Sequence, residues 1–337
     1  MNILAVESSC DETAVAIVRD GREVLTDCIA SQVDLHRIYG GVVPEIASRK
    51  HIEAIYGLAD QALARTGLLR SDIDAVAVTY APGLIGAVLV GVNFAKGAAM
   101  ALDLPLIPVH HVRGHIAANY LTYPDLEPPF ICLVASGGHS HIIEVLDYDR
   151  FRLLGHTRDD AAGEAFDKVA RALGLPYPGG PELEKLAFEG DPMKYPFHSA
   201  LNSSAEEVDF SFSGIKTAVV NLMHNAAQKG ETLSKADIAA SFQRAVCDTL
   251  TLKAVHAAKE HGFNTLALAG GVSANRALRS SLARACEDQG IRFCCPDFRY
   301  CTDNAAMIAC AGHYALMAGE LSGLDLNAAP ELPLVQR

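Results

Sequence analysis

An internal repeat constrains the fold more than any other feature of this sequence. The segment NILAVESSCDETAVAIV, which starts at Asn2, and the segment FICLVASGGHSHIIEVL, which starts at Phe130, both run from an apolar strand through a small polar turn into a second apolar strand. Helical patterns follow the strands in each half. Such a duplication predicts an α/β protein with two similar lobes around a central cleft, and ligands of these sheets bind where the strand ends face the crevice.

The length of the chain agrees with two lobes. At 337 residues it is longer than one hydrophobic core usually supports, and 50% of its residues are apolar, which is enough to build two cores. We predict that the first lobe comprises residues 1–125 plus 305–337 and that the second comprises residues 126–304. Strands are expected over 3–6, 14–18, 24–29, 74–79, 153–156 and 265–269, and helices are expected from Pro44, Asp160, Ser234, Ser273 and Thr302.

Charge and cysteine content limit the classes of function. The formal net charge of −12 argues against free-standing nucleic-acid binding, because Lys and Arg supply most of that affinity, so an RNA substrate would require a local basic patch or a helper subunit. The nine cysteines, with Cys294 and Cys295 adjacent, fit neither a disulfide framework nor a paired zinc motif, and they predict reduced thiols in the cytoplasm. The N-terminus has no basic leader, so no signal peptide is expected. The apolar stretch 83–102 is interrupted by glycines, Asn93 and Lys96, which favours a buried helix and no membrane role.

Three glycine pairs lie in the second half: Gly137–Gly138, Gly179–Gly180 and Gly270–Gly271. Any one pair could simply form a tight turn, but the first and third directly follow apolar strands, where glycine lets backbone amides approach a phosphate or a nucleoside. The pattern therefore favours nucleotide binding, although no pair fits the dinucleotide or Walker motifs. Asp167 lies on the exposed face of an amphipathic helix, and it gains a function only if it meets the ribose hydroxyls of a nucleotide held by Gly180.

The turn of the first half carries acidic side chains instead of glycines. Asp11 and Glu12 stand beside several hydroxyl residues in SSCDET. They could merely satisfy turn amides, or one of them could act as a general base or bind a metal-linked water. The spacing alone does not choose between these interpretations.

A pair of histidines gives the clearest indication of a metal site. His111 and His115 are four residues apart, so on a helix they project from the same face and can share one ion. The intervening residues 112–114 are Val, Arg and Gly, so the glutamate of a zinc-protease helix is missing and proteolysis by that route is not expected.

The third ligand must come from another part of the chain. Asp303 in CTDNAAM is a candidate because it lies at the start of the last helix, although Thr302 or Asp303 could equally be an ordinary N-cap. His139 and Cys301 are alternative or additional ligands. Mixed imidazole and carboxylate ligation suits iron or zinc.

Ten segments taken together resemble the tRNA N6-adenosine threonylcarbamoyltransferases, the TsaD/Gcp family. They occur in family order between residues 7 and 309 and therefore cover nearly the whole chain: ESSCDET, YGGVVPEIASRKH, APGLIGA, HHVRGH, SGGHS, DDAAGEAFDK, YPGGP, FSFSGIKT, LAGGVSANR and CTDNAAM. The chain departs from the family pattern at Ala81, Ser140 and Glu184, where we expect glycine, threonine and, in some members, aspartate.

The resemblance implies a duplicated actin-like ATPase fold (ASKHA, ribonuclease H-like) and one divalent metal ion per subunit, Fe²⁺ with zinc as the alternative. It places the ion on His111, His115 and Asp303. Asp11 and Glu12 match the acidic turn of the family, and a catalytic role for them is our hypothesis. The substrate contacts that it implies are Val134, Ala135, Ser136, Gly137 and Gly138 at the phosphate, Asp167 and Gly180 near the ribose, and Asn275 near the base.

The implied reaction transfers a threonylcarbamoyl group from threonylcarbamoyl-AMP to N6 of the adenosine at position 37 of tRNAs that read codons beginning with A. The products are N6-threonylcarbamoyladenosine and AMP, and ATP or AMP binding is expected. The resemblance also implies bacterial partners, a TsaB-type paralogue and a TsaE-type ATPase, which could complete the RNA-binding surface. Candidate tRNA contacts are Arg37, Arg49, Lys50 and Arg113, although the pattern at each of them slightly favours an ordinary solvated face.

Alternative functions remain open at this point. A carbamoyltransferase of the same fold is one alternative. A small-molecule kinase of the same fold would transfer a phosphoryl group and would need magnesium rather than a histidine-rich site. A non-enzymatic scaffold would bind nucleotide without retaining a metal. Metal analysis of the purified protein separates these from the threonylcarbamoyl transferase.

Overall fold

A computed structural model describes residues 1–198 and 206–335 and divides the chain into two compact units. Unit 1 consists of Met1–Pro128, Leu146–Phe151 and Pro296–Arg337, and unit 2 consists of Pro129–Val145 and Arg152–Cys295. Residues 296–304, which the predicted limits place in the second lobe, belong to unit 1 in this division.

Unit 1 is built on a five-stranded sheet. Its strands are β1 (Asn2–Glu7), β2 (Glu12–Arg19), β3 (Glu23–Ser31), β4 (Ala75–Ala81) and β5 (Leu106–His110). The strand order is β3-β2-β1-β4-β5, with β1 antiparallel to β2 and parallel to β4. Because β1 and β2 are central and apolar on both faces, both faces of this sheet must be covered by helices.

The sheet of unit 2 repeats this topology. Its strands are β6 (Phe130–Ala135), β7 (Ser140–Val145), β8 (Phe151–His156), β9 (Thr265–Ala269) and β10 (Arg292–Cys294). The order is β10-β9-β6-β7-β8, with β6 antiparallel to β7 and parallel to β9. Strand by strand this matches unit 1, so the duplication predicted from the two strand-turn-strand segments is confirmed.

The helices follow the strands in both units. Unit 1 contains α1 (Val33–Arg37), α2 (Pro44–Thr66), α3 (Ile85–Leu102) and α4 (His111–Thr122). Unit 2 contains α5 (Ala162–Ala172), α6 (Gly179–Ala187), α7 (Ser213–Lys229), α8 (Lys235–Glu260) and α9 (Arg276–Asp288). Helix α10 (Ala305–Met317) belongs to unit 1 again. Helix α7 was not among the predicted elements.

Helices cover both faces of the unit 1 sheet. Val76 and Val78 of β4 share a core with residues of α2 and α3. Ala77, which points the other way, lies against α10, where a Cβ on Gly312 would be 2.7 Å from the Ala77 Cβ. Helix α10 can approach the sheet this closely because residue 312 is glycine.

Helix α3 is the one helix within residues 1–198 and 206–335 whose length and composition would allow it to cross a membrane. Its side chains Val88, Val92, Ala95 and Ala99 are buried in the core of unit 1. Only 33% of the helix is buried, and Ile85 and Met100 are exposed, so the predicted buried helix is buried on one face alone.

The core of unit 2 forms around the long helix α8. Ser234 caps it, since the Ser234 hydroxyl accepts a hydrogen bond from the Asp237 amide at 3.2 Å, as predicted. The helix expected from Asp160 is α5, which begins at Ala162; Asp160 forms ion pairs with Lys168 and Lys216 at 2.8 and 2.5 Å. Two lysines can thus pair with a carboxylate that is not needed at the helix terminus.

Arg22 explains why residues 146–151 belong to unit 1. Its guanidinium donates hydrogen bonds to the hydroxyl of Tyr314 and the carbonyl of Pro124, both at 2.6 Å, and to the hydroxyl of Tyr148 at 3.0 Å. The rings of Tyr148 and Tyr314 stack with their centroids 4.0 Å apart. These contacts fix the segment by its side chains, which no local pattern predicts.

Candidate metal centre and nucleotide turns

Three side chains of unit 1 converge on a small volume. Helix α4 begins at His111, directly after β5, so His111 and His115 lie one turn apart on the same face. The Nε2 atoms of both rings are 3.4 Å from Oδ1 of Asp303. The potential ligand atoms all lie within 4.8 Å of one another, and this is the one such group among the described residues.

The spacing of these atoms fits a bound divalent ion. An N···O separation of 3.4 Å is longer than a good hydrogen bond. Two ligand atoms at about 2.1 Å from a tetrahedral ion are themselves about 3.4 Å apart. Two imidazole nitrogens and one carboxylate oxygen suit zinc or iron, with positions left open for a further ligand. The cluster is therefore compatible with a divalent metal, and the alternative ligand Cys301 is directed elsewhere, toward the carbonyls of Pro296 and Asp297.

Asp303 is available to the cluster because the next residue caps the helix. The interpretation of Thr302 or Asp303 as N-cap was wrong: the Asn304 side chain accepts from the amide of Met307 at 2.8 Å and donates to the carbonyl of Thr302 at 2.8 Å. Gly114 brings α4 close to α10, since a Cβ there would lie 2.6 Å from Cδ1 of Ile308.

A fourth residue of this centre was missed in the sequence. Glu7 ends β1, and its fully buried carboxylate places Oε2 2.9 Å from Nδ1 of His111. The hydroxyl of Thr79 donates to the same oxygen at 2.6 Å, and the amide of Ser9 donates to Oε1 at 2.5 Å. A carboxylate at the end of an otherwise apolar strand is the pattern that could have indicated it, because an ionised group is buried only with partners.

The charges in this cluster support one another. Burial by itself would raise the pKa of Glu7, but the charge and hydrogen bond of His111 outweigh it and hold that pKa below its ordinary value. Burial opposes protonation of His111, but the charges of Glu7 and Asp303 raise the pKa of His111 well above its ordinary value. Burial would also raise the pKa of Asp303, but the charge of His111 outweighs it and lowers that pKa. Burial holds the pKa of His115 below its ordinary value, although the Asp303 carboxylate 3.4 Å away acts in the opposite direction. A metal ion would compete with a proton for Nε2 of His111, so metal binding releases that proton.

The acidic turn of unit 1 is held by hydrogen bonds. Asp11 is buried, and its carbonyl accepts from the Gln32 amide at 2.9 Å. The Glu12 carboxyl accepts from the Ser31 hydroxyl at 3.0 Å. Burial, followed by the charges of Asp303 and Asp11, raises the pKa of Glu12 to about 9. Glu12 is thus close enough to the predicted ligand Asp303 for its pKa to depend on the charge of that carboxylate. At neutral pH Glu12 carries a proton when no cation is bound.

Two glycine turns of unit 2 meet at the ends of neighbouring parallel strands. The turn after β6 contains Ser136, Gly137 and Gly138, where a Cβ on either glycine would meet no atom within 4 Å. Gly270, after β9, has φ +87°, and a Cβ there would lie 2.4 Å from the carbonyl oxygen of Ala135. Gly270 is therefore required for packing, whereas Gly137 and Gly138 are exposed and have open space where a side chain would be.

The remaining predicted contacts lie in the same unit. Oδ1 of Asp167 accepts from the amides of Gly179 and Gly180 at 2.9 and 3.2 Å, so the structure brings Asp167 to the second glycine pair. Asn275 caps α9, and its amide group donates to Oε1 of Gln243 at 2.8 Å. Gln243 lines a cavity of about 590 Å³ bordered by α6, α8 and α9.

The four predicted tRNA contacts all have acidic partners. Arg37, Arg49 and Lys50 pair with neighbours on α1 and α2. Arg113 is largely buried and forms two hydrogen bonds with Glu320, at 2.6 and 3.2 Å. Pairing of this kind favours the solvated-face interpretation for the first three residues and a structural role for Arg113.

Comparison with known proteins now complements this geometry. The sequence pattern of the family described as "TsaD: tRNA N6-adenosine threonylcarbamoyltransferase" matches residues 23–310. Proteins named tRNA N6-adenosine threonylcarbamoyltransferase from Clostridium perfringens (strain SM101 / Type A) and Clostridium botulinum (strain Hall / ATCC 3502 / NCTC 13319 / Type A) are 54% and 52% identical to this chain over 337 residues. The alignments cover 99% and 100% of this chain and 98% and 99% of those proteins.

Solved structures show the same fold at low sequence identity. Full-length HypF, in its phosphate- and nucleotide-bound form, has a TM-score of 0.65 at 18% identity over 95% of this chain, which spans 46% of that HypF chain. Component A of (R)-2-hydroxyglutaryl-CoA dehydratase from Acidaminococcus fermentans has a TM-score of 0.55 at 16% identity, over 94% of this chain and 98% of that one. With the duplicated strand order and the family match, the predicted duplicated actin-like (ASKHA) fold is confirmed.

Proposed function

Because this chain belongs to the tRNA N6-adenosine threonylcarbamoyltransferase family, we propose that its donor is threonylcarbamoyl-AMP and that its acceptor is the adenosine at position 37 of tRNAs reading codons that begin with A. The protein is a transferase that forms N6-threonylcarbamoyladenosine in tRNA. AMP is the second product of the proposed reaction. A kinase or carbamoyltransferase of the same fold is not favoured, because the relatives that match over the full length carry the threonylcarbamoyltransferase name.

The observation that carries the proposal is the convergence of His111, His115 and Asp303 in a member of this family. We assign one Fe²⁺ per subunit to these residues, with zinc as the alternative, since their donor set suits both. The choice of iron rests on the family resemblance. When bound, the ion supplies Lewis-acid polarisation of an oxygen ligand.

The glycine turns of unit 2 support binding of the adenylate. We assign the phosphate to the turn from Val134 to Gly138, because its two glycines are exposed and have no atom within 4 Å of the position of a Cβ. Asp167 and Gly180, which are joined by a hydrogen bond, are assigned to the ribose, and Asn275 is assigned to the base. The cavity lined by Gln243 lies beside Asn275 and has the volume of a small-molecule site.

The proposed chemistry is acyl transfer. The exocyclic amine of the adenosine attacks the carbamoyl carbonyl of the donor, so that a C–N bond forms, the bond from that carbon to the phosphate oxygen breaks, and AMP leaves. Amides at Gly137 and Gly138 stabilise the charge on the departing phosphate. The amine loses one proton, which we assign to Asp11 or Glu12.

The raised pKa of Glu12 limits when this residue can accept a proton. With a pKa of about 9, Glu12 holds a proton at neutral pH and cannot accept another. The charge of Asp303 is the second cause of that shift, so neutralising Asp303 moves Glu12 toward the ionised state that a base requires. Asp11 is the alternative acceptor.

We propose a cytoplasmic location and protein partners. All nine cysteines are free thiols, which agrees with a reducing compartment, and the tRNA substrate is found there. The net charge of −12 supports partners of the TsaB-type paralogue and TsaE-type ATPase kind, because affinity for RNA depends largely on Lys and Arg.

Reconstitution tests the proposed function. The purified protein, with both partner types, is given threonylcarbamoyl-AMP and an unmodified tRNA transcript, and the nucleosides are analysed by mass spectrometry. His111→Ala is expected to lower the rate on the order of a hundredfold and to abolish metal retention. His261→Ala, at an exposed position after α8, is the matched control and should behave as wild type.

Two results would contradict the proposal. If the wild-type protein forms no modified nucleoside from this donor, the donor assignment is wrong. If His111→Ala loses its metal but transfers at the wild-type rate, the metal centre has no part in the reaction.

A further inference from the structure

We propose that Glu7 is a positioning residue of the metal centre: its carboxylate keeps a proton on Nδ1 of His111, so that Nε2 of the same ring presents its lone pair to the ion. This inference rests on the proposed metal centre and adds to it a residue that does not itself touch the ion. The carboxylate acts through the His111 ring.

The first argument is the direction of the hydrogen bonds at Glu7. The Ser9 amide, which can only donate, occupies Oε1 at 2.5 Å, and the Thr79 hydroxyl donates to Oε2 at 2.6 Å. An ionised carboxylate only accepts, so Nδ1 of His111, 2.9 Å from Oε2, must be the donor. A ring with its proton on Nδ1 has its lone pair on Nε2, the atom that lies 3.4 Å from Asp303.

The second argument is burial. Glu7 has no exposed surface, and burying a carboxylate is unfavourable unless it is paired and hydrogen-bonded. Its position is determined by β1, whose other residues from Ile3 to Val6 are buried and apolar. The acceptor is therefore rigid, and the ring orientation that it selects is rigid as well.

The third argument is the contrast with the other imidazole. Nδ1 of His115 is buried and has no hydrogen-bond partner among the described residues. Only His111 has its tautomer fixed by a carboxylate, so the loss of Glu7 should affect one ligand of the three. Partners of this kind typically change metal affinity by 10- to 100-fold.

The test is Glu7→Gln, studied with Zn²⁺ as the probe. The amide keeps the shape of the side chain but has one acceptor oxygen where the carboxylate has two. Its NH₂ group must then face either the Ser9 amide, itself a donor, or Nδ1 of His111, which forces the ring proton onto Nε2. Competition with a chelator should show Zn²⁺ affinity about 10- to 100-fold below wild type. Glu45→Gln, an exposed carboxyl on α2, is the control and should bind like wild type.

A second measurement is made on the wild-type protein, and a variant is needed only to assign the signal. In the Zn²⁺-loaded wild-type protein with ¹⁵N-labelled histidine, His111 should show a proton on Nδ1 and the metal on Nε2, with assignment by comparison with His111→Gln. Metal on Nδ1 of His111 would overturn the proposal. So would a folded Glu7→Gln protein whose Zn²⁺ affinity is within twofold of wild type.

Zn²⁺ binding distinguishes failure of the metal centre from failure of the role of Glu7. If wild-type protein binds Zn²⁺ and His111→Ala does not, the metal centre stands, and the Glu7 results decide the role of Glu7 alone. If the wild-type protein binds no Zn²⁺, both the metal centre and the role of Glu7 are overturned.

Discussion

Replacing Glu12 with glutamine should change how the stability of the metal-free protein depends on pH. Burial and the charges of Asp303 and Asp11 raise the pKa of Glu12 from 4.5 to about 9. Between these values the folded protein holds a proton that the unfolded chain has lost. The unfolded state then binds fewer protons than the native state, so the free energy of unfolding falls as pH rises.

The magnitude follows from the number of protons involved. One proton held only by the folded state gives a slope of about −1.4 kcal/mol per pH unit. Over the interval from pH 6 to pH 8, Glu12 alone should cost the wild type about 3 kcal/mol of stability. Glu12→Gln has no proton to lose, so its advantage over wild type should grow by about 3 kcal/mol across this interval.

Urea unfolding followed by circular dichroism, in EDTA at pH 6, 7 and 8, measures this difference. Glu45→Gln, whose carboxyl is exposed, should parallel wild type. Loading with Zn²⁺ should reduce the wild-type slope, because a cation neutralises the charge of Asp303, which is the second cause of the shift. Equal slopes for wild type and Glu12→Gln in EDTA would refute the reasoning, and Glu12 would then be ionised at neutral pH.

Two further predictions concern the turns around the sites. Gly270→Ala should destabilise unit 2 by about 1 to 3 kcal/mol, because φ is +87° and the new Cβ would meet the carbonyl oxygen of Ala135. Urea unfolding should show this as a lower midpoint. Gly271→Ala is the control, since a Cβ at residue 271 would have no atom within 4 Å. Asn304→Ala should lower the free energy of unfolding by about 1 to 3 kcal/mol, because the buried amide of Met307 loses its hydrogen-bond acceptor. It should also weaken Zn²⁺ binding, because this cap lies directly beside Asp303. Unchanged Zn²⁺ affinity would show that the cap does not position the ligand.

Repetition and helical spacing made much of this protein predictable from its sequence. The two strand-turn-strand segments predicted the duplicated sheets, because each half of the sequence contains its own copy of the strand pattern. Four-residue spacing placed His111 and His115 on one helical face, which the structure shows at the start of α4. Asp167 accepts a hydrogen bond from the amide of Gly180, and its contact with a ribose stays a prediction.

The features that were missed depend on contacts between distant parts of the chain. Glu7 contacts Thr79 and His111, which lie 72 and 104 residues further on, so no local pattern connects them. The cap of α10 was misplaced because Thr302, Asp303 and Asn304 are all good N-cap residues, and only the packing shows which one bonds to Met307.

The division into units has a consequence for how the metal centre forms during synthesis. The chain passes four times between the units, and unit 1 is completed only by residues from Pro296 onward. The two histidines leave the ribosome about 190 residues before Asp303, which at usual elongation rates is roughly 10 to 40 s. During that interval the nascent chain exposes an imidazole pair without its carboxylate. Metal loading is therefore a late event that reports on completion of the polypeptide, and a chain truncated before Asp303 would lack the full ligand set.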